Sequence, residues 1–359
     1  MFRYLVHKIG YAILTLFGVI TVIFLLFNVL PGDPAQMMLG QNEDSEQLNA
    51  VKKKYGFDQP LSVQYVYYLN DLSPVSFHST KQEDYTYLSP NKYTAFSLFS
   101  IGNIITVLKF PYLRESFTKQ GKKVSKVLGE TLPNTFVLAI SAIGIALCIG
   151  LILGVVSALK KDSFTDKAIQ VLSTLGMSVP SFFSAILFAW LFGYVLHKYT
   201  NLEMTGSLYE LDDYGEQTHL KIKNLILPAI VLGIRPLAVI IQLMRNSLLE
   251  VLSQDYIRTA RAKGLSEFQI IKKHAIKNAL NPVVTAISGW FASMLAGAVF
   301  VEYIFGWNGL GKEIVNALNT LDLPVIMGAV LVIATLFIII NILVDVIYTL
   351  LDPKVKLES

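Results

Sequence analysis

Long apolar runs recur along this chain, separated by polar stretches of very unequal length. A bilayer's hydrocarbon core of about 30 Å needs roughly 20 apolar residues per helix. Six segments meet that requirement: 9–30, 134–159, 168–196, 225–244, 283–301 and 325–351. Each predicts a membrane-spanning helix. The first follows Arg3 and Lys8, is too long for a signal-peptide core and lacks a small-x-small cleavage site, so it reads as a retained anchor. The long polar stretch, 31–131, opens with "LPGDPAQ", where proline and glycine are expected to end the first helix. A polar, helix-forming segment then leads to "YGFDQPLSVQYVYYL". Within the stretch, "YTAFSLFSIGNIITVLKF" is apolar enough to suggest a seventh span. Its Ser, Gly, Asn and Thr weaken that reading, and a crossing there would move the basic loops that follow to the opposite side. It is expected to be an interfacial or folded insert.

Composition agrees with a membrane chain. Of 359 residues, 53% are hydrophobic and 16% charged, with mean hydropathy +0.52; ordinary soluble domains carry about 25% charged residues. The single Cys148 excludes an internal disulfide, and histidines 7, 78, 197, 219 and 274 show no metal-ligand spacing. No metal site or catalytic residue is expected. The net charge is +4, and its placement sets an orientation. With the N-terminus cytoplasmic, fourteen Lys and Arg fall on the inner side, including Lys160, Lys161, Lys167, Lys354, Lys356 and seven between Arg245 and Lys277. The short outer loops hold four: Lys198, Lys221, Lys223 and Lys312. Both termini are expected inside, and the acidic "EMTGSLYELDDYGE" outside.

Small residues recur every fourth position at Ala142, Ala146, Gly150, Gly154 and Ala158, and again at Gly289, Ser293 and Gly297. Such stripes let helices approach closely in lipid; the second stripe is also a candidate for lining a pathway. Arg235, followed by Pro236, is the one basic residue in mid-span, and a central arginine costs roughly 2.5–3.5 kcal/mol on insertion scales. It either lines a pathway and meets a substrate carboxylate or bonds another helix at a proline kink. Candidate pathway residues are Arg235, Gly289, Ser293 and Gly297, together with Met177 and Ser181 in the third span. Asp345, nearer the inner end of the last span, reads as a polar anchor between helices.

The most charged run in the second half of the chain is "DYIRTARAKGLSEFQIIKKHAIKNALNP", 255–282. Gly264 and Ser266 divide it into a short helix and a second one opened by a Ser266/Gln269 capping signature. Phe268, Ile271, Ala275 and Ala279 form the expected apolar face, with Lys272, Lys273 and Lys277 opposite. Any inner loop is basic by the orientation rule, but the order Ala260, three residues, Gly264, amphipathic helix is harder to explain by charge. A short helix bent at a fixed glycine suits a groove on a soluble partner.

This run resembles the E-A-A-x3-G-x9-I-x-L-P loop of ABC importer permeases, in the version found in the dipeptide/oligopeptide/nickel branch. Aligned on Gly264, the general Glu falls on Arg258, the alanines on Thr259 and Ala260, and Ile-x-Leu-Pro on His274 to Lys277. "LPGDPA", "YGFDQPLSVQY", "ETLPNT", "VPSFF", "VEYIFGWNGLGK" and "LVDVIYTLLDP" resemble the same branch in order; the region 73–110 has no recognised counterpart. The resemblance implies an all-α polytopic membrane protein with six transmembrane helices, the type I ABC importer permease fold and a large extracytoplasmic insert between helices 1 and 2. It implies an organisation of 1–30 (N-terminus and first helix), 31–131 (extracytoplasmic), 132–351 (permease core with a cytoplasmic coupling loop, 247–281) and 352–359 (cytoplasmic tail). Asp255, Tyr256, Arg258, Thr259, Ala260, Arg261, Ala262, Lys263, Gly264 and Leu265 would form the ATPase-coupling element. Partners would be a second homologous permease, two ATP-binding cassette ATPases and an extracytoplasmic solute-binding protein, with no nucleic acid. No cofactor would bind this chain; ATP and magnesium would sit on the ATPases, and the home would be a bacterial inner membrane. The implied cycle is alternating access by rigid-body movement of bundles, importing peptides, nickel or related small solutes.

Other classes stay open at this level. An ion-coupled secondary transporter predicts acids buried in several spans, where Asp345 is nearly alone. An intramembrane hydrolase lacks a motif, a scaffold or receptor leaves the bent basic helix unexplained, and an exporter-like permease shares the fold. "GWNGLGKE" nearly spells a phosphate loop but has Glu313 where Ser or Thr should hold magnesium. It reads as a tight turn.

Overall fold

A computed structural model describes residues 2–29, 35–36, 45–119, 121–212 and 217–351. Nearly all of "LPGDPAQ", part of the acidic loop and the tail 352–359 lie outside the described residues. Four helices are long and apolar enough to cross a membrane: α1 (Phe2–Val29), α4 (Val124–Leu159), α7 (Lys223–Leu252) and α13 (Leu323–Leu351). Two further segments qualify only as bent pairs. Between α1 and α4 lie α2 (Ser45–Tyr55), α3 (Leu61–Leu72) and strands β1 (Val75–Ser79), β2 (Ala95–Ile101) and β3 (Ile104–Lys109).

The third expected span is not a single rod. Helix α5 (Phe164–Ser178) and helix α6 (Ser181–Phe188), which runs on as a π-helical stretch Ala189–Val195, meet at 106°. The cause is local. Pro180 has no N–H to donate and forces the residue before it out of the helical region, and Val179 is extended at φ −79°, ψ 130°. The fifth expected span is likewise broken, into α10 (Asn281–Gly297) and α11 (Val299–Phe305), bent by 57°. Prolines 133, 228 and 236 lie inside α4 and α7 without ending them. Both helices start earlier and α7 ends later than the hydropathy limits.

The described residues form two compact units. The first comprises Met1–Lys8, Thr131–Glu313 and Thr335–Ser359, with α7 at its centre. A Cβ on Gly150 would lie 2.7 Å from Ile240 Cγ2, one on Gly154 2.7 Å from Met244 Cβ, and one on Gly233 2.8 Å from the Ala142 carbonyl. The α4 stripe is therefore a close-packing seam against α7. The stripe on α10 differs: Cβ atoms at Gly289 and Gly297 would meet nothing within 4 Å. Among the described residues these two glycines approach no other helix, which corrects the packing expectation there. Lys8 forms an ion pair with Asp345, as the polar-anchor reading expects.

The second unit comprises Ile9–Glu130 and Ile314–Ala334. Helix α3 lies on α1 through Phe24, whose ring is 5.1 Å from that of Tyr65 and 5.7 Å from that of Tyr68. The strands form an antiparallel sheet in the order β1-β3-β2. The apolar stretch 93–110 is thus largely its β2–β3 hairpin, turning at Gly102 with φ +59°. Two strands of six and seven residues are too short to cross a bilayer, so this stretch is not a span, and the all-α expectation fails here. The buried Asp71 carboxylate accepts from Tyr93 Oη at 2.9 Å and Arg114 Nε at 3.1 Å, while Lys109 donates to the Asp71 carbonyl. Asp322 clasps the loop before α4: it accepts from the N–H of Phe117 at 3.0 Å, from Thr118 Oγ1 at 2.8 Å and from the Ser116 hydroxyl.

Candidate functional site

Three features of the first unit carry chemistry or docking potential. At one end stands a short helix, α8 (Asp255–Ala262), followed by α9 (Glu267–Ile270), a π-helical turn Ile271–Ala275 and a last turn Ile276–Ala279. Gly264, at φ +82°, makes the turn between α8 and α9, a conformation that L side chains adopt at a cost. Ser266 caps α9, and the reciprocal Gln269 bond completes the capping box. Helix α8 is fastened by two side chains, Ile257 at 0% and Ala260 at 6% exposure, within a core shared with Ile240, Met244 and Leu248 of α7 and Ala158 of α4. Asp255, Tyr256, Arg258, Thr259, Arg261, Ala262, Lys263 and Gly264 are exposed, and Leu265 is half-buried. Of the expected coupling residues, Ala260 therefore holds the helix rather than presenting a surface. Ile257, which the expected coupling residues omit, does the same; its apolar character within the polar run 254–259 was the available signal. Arg261 pairs with Glu267 at 2.8 Å across the turn, and Tyr256 Oη accepts from Asn278 Nδ2 at 2.8 Å.

The apolar face expected on the second helix needs correcting. Phe268 is 71% exposed, with the Lys272 ammonium 5.8 Å from its ring centroid. The buried row is Ile270, Ala275 and Ala279. The π-helical turn accounts for the difference: it inserts one residue, so the row steps by five and then four.

Near the same end, Asp166 at the start of α5 receives a two-point contact from Arg245 of α7, Nε to Oδ1 at 2.8 Å and Nη2 to Oδ2 at 2.6 Å. The Asp162 amide also donates to it, at 2.9 Å. This ties the loop 160–163 to the end of α7 that leads into α8.

The second feature is a cavity at the 178–181 bend. Ser181, Ser184, Arg235, Pro236, Trp290, Ser293 and Gly297 line it, with apolar walls from Val179, Val231 and Met294. Four of the six pathway candidates thus come together: Ser181, Arg235, Ser293 and Gly297. Met177 lies aside, its sulfur 3.8 Å from Gln242 Nε2, and Gly289 faces open space. Ser184 and Trp290 were missed. Ser184 sits one helical turn after Ser181, which was the available hint.

The third feature is the glycine-rich turn between α11 and α12 (Leu310–Asn319). Glu302 is wholly buried, and its Oε2 accepts from the N–H of Gly311 at 2.6 Å and of Lys312 at 3.3 Å; its Oε1 has no hydrogen-bond partner among the described residues. Gly309 and Gly311 leave the room, since a Cβ on either would come within 3 Å of the carboxylate. The amides that a phosphate loop would turn toward nucleotide thus hold the chain's own carboxylate. Trp307 Nε1 donates to the Asn134 carbonyl at 3.0 Å and the Leu310 amide to Thr135 Oγ1 at 2.8 Å, stitching this turn to the "ETLPNT" segment.

Comparison with known proteins follows the same features. Residues 150–357 match the family described as "Binding-protein-dependent transport system inner membrane component", and residues 1–83 match its N-terminal companion family. The chain is 34% identical over 363 residues to the dipeptide transport system permease protein DppB of Bacillus subtilis, covering 100% of this chain and 99% of that one. It is 33% identical to the di/tripeptide transport system permease protein DppB of Pseudomonas aeruginosa, covering 99% of each. This chain belongs to the binding-protein-dependent inner membrane component family. Among solved structures, the MetNI methionine ABC transporter in an inward-facing conformation shares the fold, with TM-score 0.51, 17% identity, and coverage of 63% of this chain and 97% of that one. The permease match holds α8, the Arg235 cavity and the Glu302 turn. The β2–β3 hairpin lies between the two matched ranges and belongs to neither.

Proposed function

We propose that this permease subunit forms half of the translocation pathway of an ATP-driven importer of peptides, and that α8 with the turn after it couples the pathway to cytoplasmic ATPases. The observation that carries the reading is the mounting of α8. A stub of eight residues is fixed from beneath by Ile257 and Ala260 on the ends of α4 and α7, and eight neighbouring residues stay open to a partner. Force applied to such a stub passes into two membrane helices without bending a long lever. A sister permease, two ATPases carrying ATP and magnesium, and a solute-binding protein complete the assembly. The peptide cargo is suggested by the dipeptide permeases of similar length and sequence.

Each bent pair is read as one crossing, which gives six spans with both termini in the cytoplasm of a bacterial cell, and the region 31–131 outside. Two clusters in the first unit support this orientation. The basic loop at 160–167 is tied to Arg245 near α8, whereas residues 134, 207 and 308 bond one another at the other end of the same helices.

The test is Ala260→Glu in the reconstituted complex. An unpaired carboxylate beneath α8 is costly to bury and displaces the stub, so peptide uptake should fall at least about tenfold while membrane insertion persists. Ala260→Ser should transport nearly normally. Undiminished uptake by Ala260→Glu, or uptake by the purified chain with no ATPase, refutes the coupling role.

A further inference from the structure

Arg235 stands in the middle of α7 and is exposed, with no hydrogen bond or ion pair to any described residue. A cation at that depth is costly in a bilayer unless water or a counter-charge meets it. None of the residues lining its cavity is acidic. The hydroxyls around it are also uncommitted. Ser173, Thr174 and Ser178 on α5, and Thr285 and Ser288 on α10, each donate to the carbonyl four residues back. Ser181, Ser184 and Ser293, on the same two bent segments, make no side-chain hydrogen bond among the described residues although they line the cavity. Pro236 adds an acceptor, because it offers no N–H to the Leu232 carbonyl, and Leu232 lines the cavity too.

We propose that this cavity is a solute carboxylate site, with Arg235 receiving the carboxylate, the three serines taking the neighbouring polar atoms and the Leu232 carbonyl accepting an amide N–H. Guanidinium is the side chain best matched to a carboxylate, through two parallel charge-assisted bonds. The proposal rests on the reading of the chain as a pathway-forming permease. It goes beyond that reading by assigning the solute's charged end to one residue.

The experiment uses the complete complex in proteoliposomes. Uptake of trialanine, whose only carboxylate is terminal, is compared with that of a C-amidated peptide bearing one aspartate. Arg235→Gln should lower uptake of the peptide whose carboxylate reaches the site by about 10- to 100-fold, the range for a charge-assisted bond, and Arg235→Lys should recover part of it. Loss for trialanine alone assigns the terminal carboxylate; loss for both assigns either source. A second measurement removes folding from the question. In a Cys148→Ser background, Arg235→Cys should regain uptake on reaction with a cationic methanethiosulfonate and not with an anionic one. The proposal is overturned if Arg235→Gln transports both peptides as the wild type does. It is equally overturned if Arg235→Gln fails only by losing the sister permease and is rescued by neutralising an acid on that subunit, since Arg235 would then be an assembly contact. Gly264→Pro, assayed alongside, separates the two readings: if it abolishes uptake while Arg235→Gln does not, the permease stands and the carboxylate site falls.

Discussion

Gly264 decides the geometry of the proposed coupling turn by its backbone alone. At φ +82° an L side chain is strained, yet a Cβ there would meet nothing within 4 Å. Substitutions should therefore rank by backbone preference and not by size. Gly264→Asn should be mildest, Gly264→Ala should cost about 1–2 kcal/mol of local order, and Gly264→Pro, locked near −65°, should fail. Uptake and protease protection of the 255–280 segment in the assembled complex would check that order; Gly264→Pro with normal uptake would refute it. Lys109 gives a second prediction at this scale. Burial pushes its pKa down to about 8, against which the Asp71 charge acts in the opposite sense. Below that value the amine is charged in folded and unfolded chain alike. Above it the folded chain releases the proton first, so the sheet-bearing unit should gain stability as pH rises from about 8 toward the free-lysine value near 10.4. Limited proteolysis between pH 7 and 9.5 would reveal the trend, and Lys109→Met should flatten it.

At the level of elements, the spans were legible and their breaks only partly so. Apolar length found the four long helices and the two bent pairs that qualify among the described residues, because a bilayer imposes one thickness on every candidate span. Val179-Pro180 carried the signal for the 106° bend, since proline restricts its own residue and the one before. Nothing comparable marks 297–299; glycine and alanine permit that bend without requiring it. The hairpin at 95–109 could not be separated from a poor span by hydropathy, because strands with apolar faces and marginal helices share composition. Phe268 was misassigned for a different reason: a π-helical turn changes the phase of a helix without changing its residue types. That turn makes a sharp prediction. Deleting Lys273, which is exposed, restores α-helical spacing with Ile270, Ala275 and Ala279 still on one face, and uptake should stay within about twofold of wild type. Inserting one alanine after Ala275 rotates Ala279 off the face by about 100° and should abolish coupling.

For the molecule as a whole, the three candidate constellations all fall in the first unit, and the sequence pointed to two of them. The turn proposed for coupling was legible as a bent helical element because glycine, capping serine and charge lie close together in the chain. The cavity was half legible: Arg235 is conspicuous in an apolar span, whereas Ser184 joins it only through the bend at Pro180 and Trp290 comes from α10. The Glu302 turn was legible as a tight turn, but its filling was not, since the carboxylate comes from the preceding helix.

The Asp322 clasp bears on how the protein is made. Its partners at 116–118 leave the ribosome about 200 residues ahead of it, and at roughly 5–20 residues per second that is a wait of about 10–40 seconds. Through that interval the early half of the second unit has its loop amides without their acceptor. Biogenesis of this permease thus includes an obligatory late closure, and a chain stalled before residue 322 should expose its 115–120 segment to quality-control proteases.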